Sequence, residues 1–253
     1  MSLFDLSGRV AVVTGGNRGI GLGIASGVAE AGAAVAIWAR DPRRNRAAAD
    51  GLVAAGADAA AFPCDVTDPG SVANAMDSTL DRFGRVDVLF ANAGITGASA
   101  IQDLEEDEWQ RVIDTTLTGV YRVVRPAVIH MKERGKGGSI ILTASVFAGR
   151  GLPFSPHYSA AKGGVLNLGR SLAVSLARYG IRVNVLSPGW VETEMTEAVR
   201  DHDKANASAL GRTPMRRWGT PGDLAGPAVF LAAEASRFVT GAELVVDGGF
   251  AAG

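Results

Sequence analysis

The sequence has little cysteine and no large excess of charge of either sign. Its one cysteine, Cys64, cannot form an internal disulfide, which favours a reducing compartment such as the cytoplasm. Because Cys64 follows an apolar run, we interpret it as a small buried side chain rather than a nucleophile. A formal net charge of −1 provides no basic surface for nucleic acid, so a nucleic-acid partner is not expected.

Long apolar runs are also missing. No uninterrupted stretch is long enough to cross a bilayer, and the first ten residues lack the basic and then apolar pattern of a secretory signal. We therefore expect no membrane association and a cytoplasmic location. The chain of 253 residues is 47% hydrophobic and 20% charged, which is ample for a globule with a full core.

Short apolar runs alternate with amphipathic stretches along the whole chain, which predicts one α/β domain over residues 1–253. No linker or charge block divides it. The pattern indicates a Rossmann-type doubly wound parallel sheet with helices on both faces, and ligands at the carboxyl edge of its strands. The predicted strands are Arg9–Thr14, Ala33–Ala39, Ala57–Pro63, Val86–Ala91, Ser139–Thr143, Ile181–Ser187 and Glu243–Val246, and the predicted helices include Pro42–Ala55, Pro69–Phe83, Glu106–Arg134, Tyr158–Tyr179 and Pro221–Ala233.

A glycine-rich loop follows the first predicted strand and leads into a helix. Glycines let the backbone turn sharply and approach a pyrophosphate, while the helix N-terminus offers free N–H groups and a positive dipole. The alternative is a glycine-rich turn without a ligand, but the strand–loop–helix context favours dinucleotide binding. The predicted cofactor-binding residues of this loop are Gly15, Asn17, Arg18, Gly19, Ile20 and Gly21.

The end of the second predicted strand should decide between NAD and NADP. An acidic residue there would hold the ribose hydroxyls of NAD, but the chain has Ala39, followed by Arg40. Together with Arg18, Arg40 would suit a 2′-phosphate, since guanidinium groups pair well with phosphate. Asp41 could oppose this by neutralising Arg40 or by reaching the ribose itself. We predict that NADP(H) is preferred and that NAD(H) is possible.

Tyr158 and Lys162 lie four residues apart, so on a helix their side chains share one face. An ammonium group favours the phenolate and lowers the pKa of a tyrosine towards the range useful for acid–base catalysis. Ser145, at the end of a predicted strand, could bond a substrate oxygen beside the phenol. Alone, such a pair is more often a surface tyrosine beside a solvated lysine.

These motifs occur in a fixed order that resembles the classical short-chain dehydrogenase/reductase family over essentially the whole chain. The resemblance rests on Thr14-Gly15-x-x-x-Gly19-x-Gly21, Asn92-Ala93-Gly94, Ser145, Tyr158-x-x-x-Lys162 and Pro188-Gly189. It implies seven parallel strands, a nicotinamide coenzyme, reversible interconversion of a ketone and a secondary alcohol, and a homotetramer. The family resemblance includes 3-oxoacyl-carrier-protein reductases and glucose 1-dehydrogenase-like members.

The resemblance also implies residue roles. Tyr158 would protonate the carbonyl oxygen, Ser145 would steady it, and Lys162 would hold the nicotinamide ribose and lower the tyrosine pKa. No metal is implied. The remaining cofactor-binding residues implied by position are Asp65, Val66, Asn92, Ala93, Gly94, Pro188, Gly189, Val191 and Thr193. Asn92 could equally be a structural loop residue, and Thr193 a helix N-cap.

Two positions depart from the family pattern. Ala91 replaces its first asparagine before Asn92, and Thr116 stands where the family commonly has a fourth catalytic residue, an asparagine. The proton relay is thought to use that residue's main-chain carbonyl, which threonine retains. The Thr116 hydroxyl could also bond a backbone group four residues back. We therefore expect activity to persist.

The substrate is not evident from the sequence. Residues 95–98, 146–156 and 194–218 are the expected substrate loops, and the stretch Thr193–Trp218 is expected to form a lid. His157 is interpreted as structural or solvated. The main hypothesis is an NADP-preferring oxidoreductase acting on a small carbonyl or alcohol substrate.

Two alternatives stay open. The first is a 3-oxoacyl-carrier-protein reductase, although the places where that family branch has basic docking residues hold His130 and Val174, with Arg125 and Arg170 only nearby. The second is a non-catalytic nucleotide-binding scaffold.

Overall fold

Seven parallel strands form one sheet in the computed structural model, which describes residues 3–253. The strand order is β3-β2-β1-β4-β5-β6-β7, so the predicted fold class is confirmed. The strands are apolar on both faces because helices cover both sides of the sheet. They are β1 Val10–Thr14, β2 Ala34–Ala39, β3 Ala59–Pro63, β4 Val88–Ala91, β5 Gly138–Thr143, β6 Ile181–Pro188 and β7 Glu243–Val246.

The helices create a hydrophobic core on each face of the sheet. One core gathers apolar side chains of α3, α5 and α6, and the other those of α1, α2 and α9. Within residues 3–253, no helix combines the length and apolar character that crossing a membrane requires. The helices are α1 Gly19–Glu30, α2 Pro42–Ala54, α3 Pro69–Phe83, α4 Glu106–Ile113, α5 Gly119–Arg134, α6 Pro156–Leu176, α7 Glu197–Arg200, α8 Asp203–Arg212 and α9 Ala225–Ala232.

Helix starts follow the sequence signals closely where a cap and a proline coincide. Asp41 and Asp68 each accept backbone N–H bonds at the N-caps of α2 and α3, and a proline follows each. The predicted helix Glu106–Arg134 is instead interrupted by a π-helical turn, Asp114–Thr118, which separates α4 from α5. A π-turn inserts one extra residue per turn, which hydrophobic periodicity does not reveal.

The direction in which successive strands are added to the sheet reverses between β1 and β4. The chain runs outward from β1 to β2 and β3, and then crosses to β4 on the other side of β1. The loops after β1 and β4 therefore diverge and leave a crevice at the carboxyl edge of the sheet, where open α/β sheets bind ligands.

At the opposite, amino edge of the sheet lies the buried carboxylate of Asp87, immediately before β4. It accepts the N–H of Val10 at 3.0 Å and pairs with Arg85 at 2.6 Å and with Arg134. Burial raises the pKa of Asp87, but the bonds from both arginines and Val10 outweigh it and the pKa is lowered. Asp87 therefore ties β1, β4 and α5 together, away from the crevice.

Candidate active site

A cleft of about 960 Å³ opens at the carboxyl edge of the strands. It is large enough for an extended dinucleotide and runs from the glycine loop to the start of α6. Of the predicted site residues, only Thr116 lies outside its lining. The predicted residues that line it are Gly15, Asn17, Arg18, Gly19, Ile20, Gly21, Arg40, Asp65, Val66, Asn92, Ala93, Gly94, Ser145, Tyr158, Lys162, Pro188, Gly189, Val191 and Thr193.

The glycine loop has the shape of a pyrophosphate cradle. Gly15 and Gly19 have φ values of +66° and +52°, which residues with a Cβ rarely adopt. A Cβ on Gly21 would overlap the carbonyl oxygen of Gly15, so only glycine lets α1 begin this close to the loop. The N-terminus of α1 carries no side-chain cap bond, which leaves its N–H groups free for an anion.

An asparagine pair holds this loop to the next strand. Asn17 Nδ2 donates to Asn45 Oδ1 at 2.8 Å, and Asn45 Nδ2 donates to the Ala39 carbonyl at 2.7 Å. Because Asn45 is buried, the pair fixes the glycine loop relative to the end of β2, where the coenzyme choice is expected to be made.

An ion-pair network at the end of the cleft next to β2 joins Arg18, Asp41, Arg44 and Glu194. Glu194 binds Arg44 through both carboxylate oxygens, at 2.9 and 3.1 Å, and also pairs with Arg18. Asp41 is occupied as the N-cap of α2 and lies 3.6 Å from Arg44 Nε. Arg44 was not predicted as a site residue and Glu194 was predicted only as part of the lid, because their pairing joins residues far apart in the chain.

Asp65 lies after β3, beside the cleft. Its Oδ1 accepts both the N–H and the hydroxyl of Thr67, at 2.9 and 2.7 Å. Partial burial raises the pKa of Asp65, but these bonds and the charges of Arg40 and Arg122 produce a net lowering. Asp65 therefore presents an ionised carboxylate to the cleft, with Arg40 facing it.

The loop after β4 is bonded to the end of β1. The Thr14 hydroxyl accepts the N–H groups of Asn92 and Ala93, at 2.9 and 3.0 Å, and Asn92 Nδ2 donates to the Thr14 carbonyl at 3.0 Å. The Asn92 side chain thus has the structural role considered for it and also lines the cleft.

Ser145, Tyr158 and Lys162 come together at the far end of the cleft. β5 ends just before Ser145, and α6 carries Tyr158 and Lys162 one turn apart on the face that packs on the sheet. Ser145 and Lys162 are buried, and Lys162 Nζ lies 5.7 Å from the centre of the Tyr158 ring. The alternative of an isolated surface pair is therefore wrong for Lys162.

The protonation of this group differs from the sequence-based expectation. Burial raises the pKa of Tyr158, and a hydrogen bond with Ser145 only partly offsets this. Lys162 Nζ donates to the Thr143 carbonyl at 2.7 Å rather than to the phenol, and burial lowers the pKa of Lys162 to about 8. In the free protein the phenol is therefore protonated.

Thr116 lies in the π-turn, fully buried behind the cleft. Its hydroxyl accepts the Ile95 N–H at 3.1 Å and donates to the Ile95 carbonyl at 2.9 Å. The expected bond four residues back is made instead by Thr115, which donates to the Arg111 carbonyl at 2.9 Å. Thr116 thus fixes the loop that follows Asn92-Ala93-Gly94, and we find no contact of its side chain with the cleft.

The segment after β6 packs tightly on the end of β7. The N–H of Gly189 donates to the Val246 carbonyl at 3.0 Å, and a Cβ on Gly189 would overlap Asp247. Thr193 and Thr196 form a capping box at the next turn, so Thr193 is an N-cap as well as a lining residue.

Aromatic side chains form a buried cluster near Tyr158. Trp190 packs edge-on against Phe147 and Trp218, with ring centres 5.5 Å apart in each case, and Phe250 joins them. Arg150, in the loop after β5, donates to the carbonyls of Ala251 and Gly253. The stretch Thr193–Trp218 contains α7 and α8.

His157, next to Tyr158, is fully buried rather than solvated. Its Nε2 lies 3.4 Å from Glu108 Oε1, and Glu108 Oε2 accepts the Ser99 hydroxyl at 2.7 Å. The three residues join α4, α6 and the loop over the cleft, so the structural interpretation of His157 holds. Cys64 is buried as expected, and burial raises its thiol pKa to about 12.

A Rossmann-type sheet with a glycine cradle and a Ser–Tyr–Lys group at one cleft defines a nucleotide-dependent oxidoreductase. The sequence model of a family described as enoyl-(acyl carrier protein) reductase matches residues 15–251. Among curated proteins, the chain is 41% identical over 244 residues to a 3-oxoacyl-acyl-carrier-protein reductase of Chlamydia pneumoniae, covering 96% of this chain and 97% of the relative. It is 37% identical over 247 residues to gluconate 5-dehydrogenase of Gluconobacter oxydans, covering 98% and 96%.

Among solved structures, a gluconate 5-dehydrogenase from Burkholderia cenocepacia, in complex with NADP and tartrate, superposes with a TM-score of 0.95 at 39% identity, covering 99% of this chain and 98% of that one. The chain belongs to the short-chain dehydrogenase/reductase family. It is an oxidoreductase that interconverts a ketone and a secondary alcohol with a nicotinamide coenzyme.

Proposed function

We propose that residues 1–253 act as one catalytic domain in which Tyr158 is the general acid and base, Ser145 binds the reacting oxygen, and Lys162 binds the nicotinamide ribose. The observation that carries this is the meeting of these three side chains at one end of a cleft whose other end is the glycine cradle. The remaining lining residues predicted from the sequence bind the coenzyme. Thr116 is a positioning residue, because its hydroxyl holds Ile95 rather than facing the cleft.

A bound nicotinamide supplies the hydride for ketone reduction and accepts it in the reverse direction. The Ser145 hydroxyl and the Tyr158 hydroxyl donate hydrogen bonds to the substrate oxygen. As that oxygen gains negative charge, the proton of Tyr158 moves to it and an alcohol forms. The ammonium of Lys162 stabilises the phenolate left behind until a solvent proton replaces the one transferred. Because burial raises the pKa of Tyr158, its phenol is protonated in the free protein and can act as the acid.

For the coenzyme we propose a preference for NADP(H), with NAD(H) accepted. Arg18, Arg40 and Arg44 line the end of the cleft next to β2. The acid nearest to them in the chain, Asp41, is occupied as a helix cap. Guanidinium groups bind phosphate through paired N–H donors. A catalytic efficiency with NAD equal to or above that with NADP would contradict this preference.

For the substrate we propose a small hydroxy acid or keto acid of the sugar-acid type, in line with the gluconate 5-dehydrogenases among the relatives. The test is a coenzyme-fluorescence panel with D-gluconate and other sugar acids, simple ketones, L-rhamnose, a steroid and a 3-oxoacyl thioester. We expect a sugar acid to have the highest kcat/KM. Turnover of the thioester alone would overturn this assignment.

The carrier-protein alternative is weaker at the surface where an acidic carrier would dock. His130 is turned toward the sheet, where its Nε2 accepts the Val86 N–H at 3.1 Å. Val174 is 85% exposed and uncharged, and Arg170 lies 3.9 Å from Glu243. An acidic partner would therefore meet few free cations there.

We propose a homotetramer in the cytoplasm. Large apolar side chains are exposed on α5 and α6 (Tyr121, Ile129, Val174) and on or just before β7 (Val245, Phe238), and burial between subunits would cover them. Light scattering should give a mass four times that of the chain, and a monomer would contradict the proposal. Fractionation of expressing cells tests the location.

The catalytic assignment is tested with Tyr158→Phe. Turnover should fall by at least about a thousandfold while the Kd for coenzyme changes little, because the phenyl ring keeps the packing and loses only the proton donor. Retained turnover would sink the assignment. Failure of the unsubstituted protein to turn over any substrate while binding coenzyme would instead favour the scaffold alternative.

A further inference from the structure

The charged cluster beside β2 contains an internal anion at the place where the coenzyme phosphate is expected. One carboxylate, that of Glu194, bridges two guanidinium groups from different parts of the chain, Arg18 in the glycine loop and Arg44 on α2. A phosphate monoester bound by two arginines makes the same arrangement. All three side chains line the cleft.

The position of Glu194 is built into the backbone. The capping box of Thr193 and Thr196 fixes the turn on which Glu194 lies, and the Thr196 hydroxyl also donates to the Val191 carbonyl at 2.6 Å. The methyl group of Thr193 lies close to Gly19, so this turn rests on the glycine loop. Glu194 therefore reaches the arginines from a short, held segment.

We propose that Glu194 sets the ratio of NADP(H) to NAD(H) affinity by occupying the 2′-phosphate site of the free protein. This inference rests on the proposed coenzyme function. A 2′-phosphate must displace the Glu194 carboxylate from Arg18 and Arg44, and two anions side by side repel. A ribose with a free 2′-hydroxyl carries no such charge, and a carboxylate can accept a hydrogen bond from that hydroxyl.

The test compares Glu194→Gln with Glu197→Gln, a matched loss of one carboxylate three residues along, outside the cluster. Binding of NADPH, NADH, 2′,5′-ADP and 5′-AMP is measured by fluorescence and calorimetry. In Glu194→Gln, the Kd for NADPH and 2′,5′-ADP should fall by about three- to tenfold, a modest change because the ion pairs that the phosphate displaces are exposed and individually weak. The Kd for NADH and 5′-AMP should not improve, and Glu197→Gln should resemble the unsubstituted protein.

The fold-change should shrink in 0.5 M salt, where exposed charges are screened over about 4 Å. Unchanged or weaker binding of 2′,5′-ADP by Glu194→Gln overturns the inference while leaving the coenzyme proposal intact. If the unsubstituted protein binds neither NADPH nor NADH, the coenzyme proposal itself fails and this inference falls with it. Equal tightening for NADH and NADPH shows a general charge effect and also overturns it.

Discussion

Thr116 and the backbone of Ile95 exchange two hydrogen bonds, one in each direction, through a single hydroxyl group. The pair fixes the π-turn between α4 and α5 to the loop that follows β4. A Cβ placed on Gly94 would lie 3.6 Å from both Thr116 Oγ1 and Lys162 Nζ, so this attachment is made right beside Lys162.

Replacing Thr116 with valine should damage both stability and catalysis. Valine keeps the shape but removes the hydroxyl that pairs with the part-buried N–H and carbonyl of Ile95, which should lower the free energy of unfolding by about 1–2 kcal/mol. The loosened loop should reduce kcat/KM by about tenfold, since small displacements misalign reacting groups. Urea unfolding and steady-state kinetics measure the two effects.

Thr116→Ser retains the hydroxyl and should stay close to the unsubstituted protein, and Thr118→Val, in the same π-turn but outside the cleft lining, is the matched control. Thr116→Asn restores the residue common in the family. Because the main-chain carbonyl is present either way, it should change turnover by less than about tenfold. A rise of several orders of magnitude would show that the asparagine side chain itself is needed.

Replacing Lys162 with methionine should abolish activity yet stabilise the free protein. Burial lowers the pKa of Lys162 to about 8, so near neutral pH the fold carries the cost of a buried charge. Methionine removes this cost but also removes the hydrogen bond to the Thr143 carbonyl. The free energy of unfolding should therefore rise by roughly 2 kcal/mol at pH 7.

This gain depends on pH in a defined direction. Below pH 8 the lysine is charged in both folded and unfolded chains, and its cost is fully present. As pH rises from about 8 towards 10.5, the folded protein releases the proton first, and the cost disappears. The advantage of Lys162→Met in thermal unfolding should therefore shrink across this window. A difference that is constant with pH would contradict the buried-charge explanation.

Substitution by alanine should lower the stability of the protein at one glycine, Gly21, and raise it at another, Gly51. In Gly21→Ala the new Cβ overlaps Gly15 O, which should destabilise the fold by about 1–3 kcal/mol and weaken coenzyme binding. Gly51 is exposed in the last turn of α2 with open space around it, so Gly51→Ala should stabilise by about 0.5 kcal/mol and leave binding unchanged. Equal behaviour of the two variants in unfolding and coenzyme titration would refute the crowding argument.

Removing the carboxylate of Glu108 should affect substrate binding more than chemistry. Glu108→Ala frees Ser99 and His157 from each other, so the loop over the cleft loses its attachment to α4 and α6. We expect KM for the substrate to rise several-fold with kcat nearly unchanged, and about 1 kcal/mol of stability to be lost. Glu106→Ala, in the same first turn of α4 but outside these contacts, should do neither.

Much of the fold could be predicted because the strands correspond to short apolar runs in the sequence. β7 matches its prediction at both ends, and α3 does so because Asp68, Pro69 and the glycine after Phe83 mark its limits. The interruption of Glu106–Arg134 at the π-turn could not be predicted, since the residues of that turn have no distinctive pattern.

The site was predictable where function depends on local spacing. Tyr158 and Lys162 are one helical turn apart, and Gly15, Gly19 and Gly21 are in one loop. Contacts that join distant parts of the chain could not be read in this way. Glu194 meets Arg44 across 150 residues, and Lys162 bonds Thr143, whose carbonyl carries no sequence signal. Only the folded chain reveals such pairs.

The buried carboxylate of Asp87 lies at the edge of the sheet opposite the cleft, with Arg85, Arg134 and Val10 as its partners. Because Asp87 joins β1, β4 and α5 at one edge of the sheet and the proposed chemistry lies at the other end of the same strands, stability and substrate choice can be altered separately. Loops over the cleft can be exchanged to accept a different alcohol while the opposite rim keeps the molecule intact. The architecture thus offers an engineer a place to reinforce and another place to redesign.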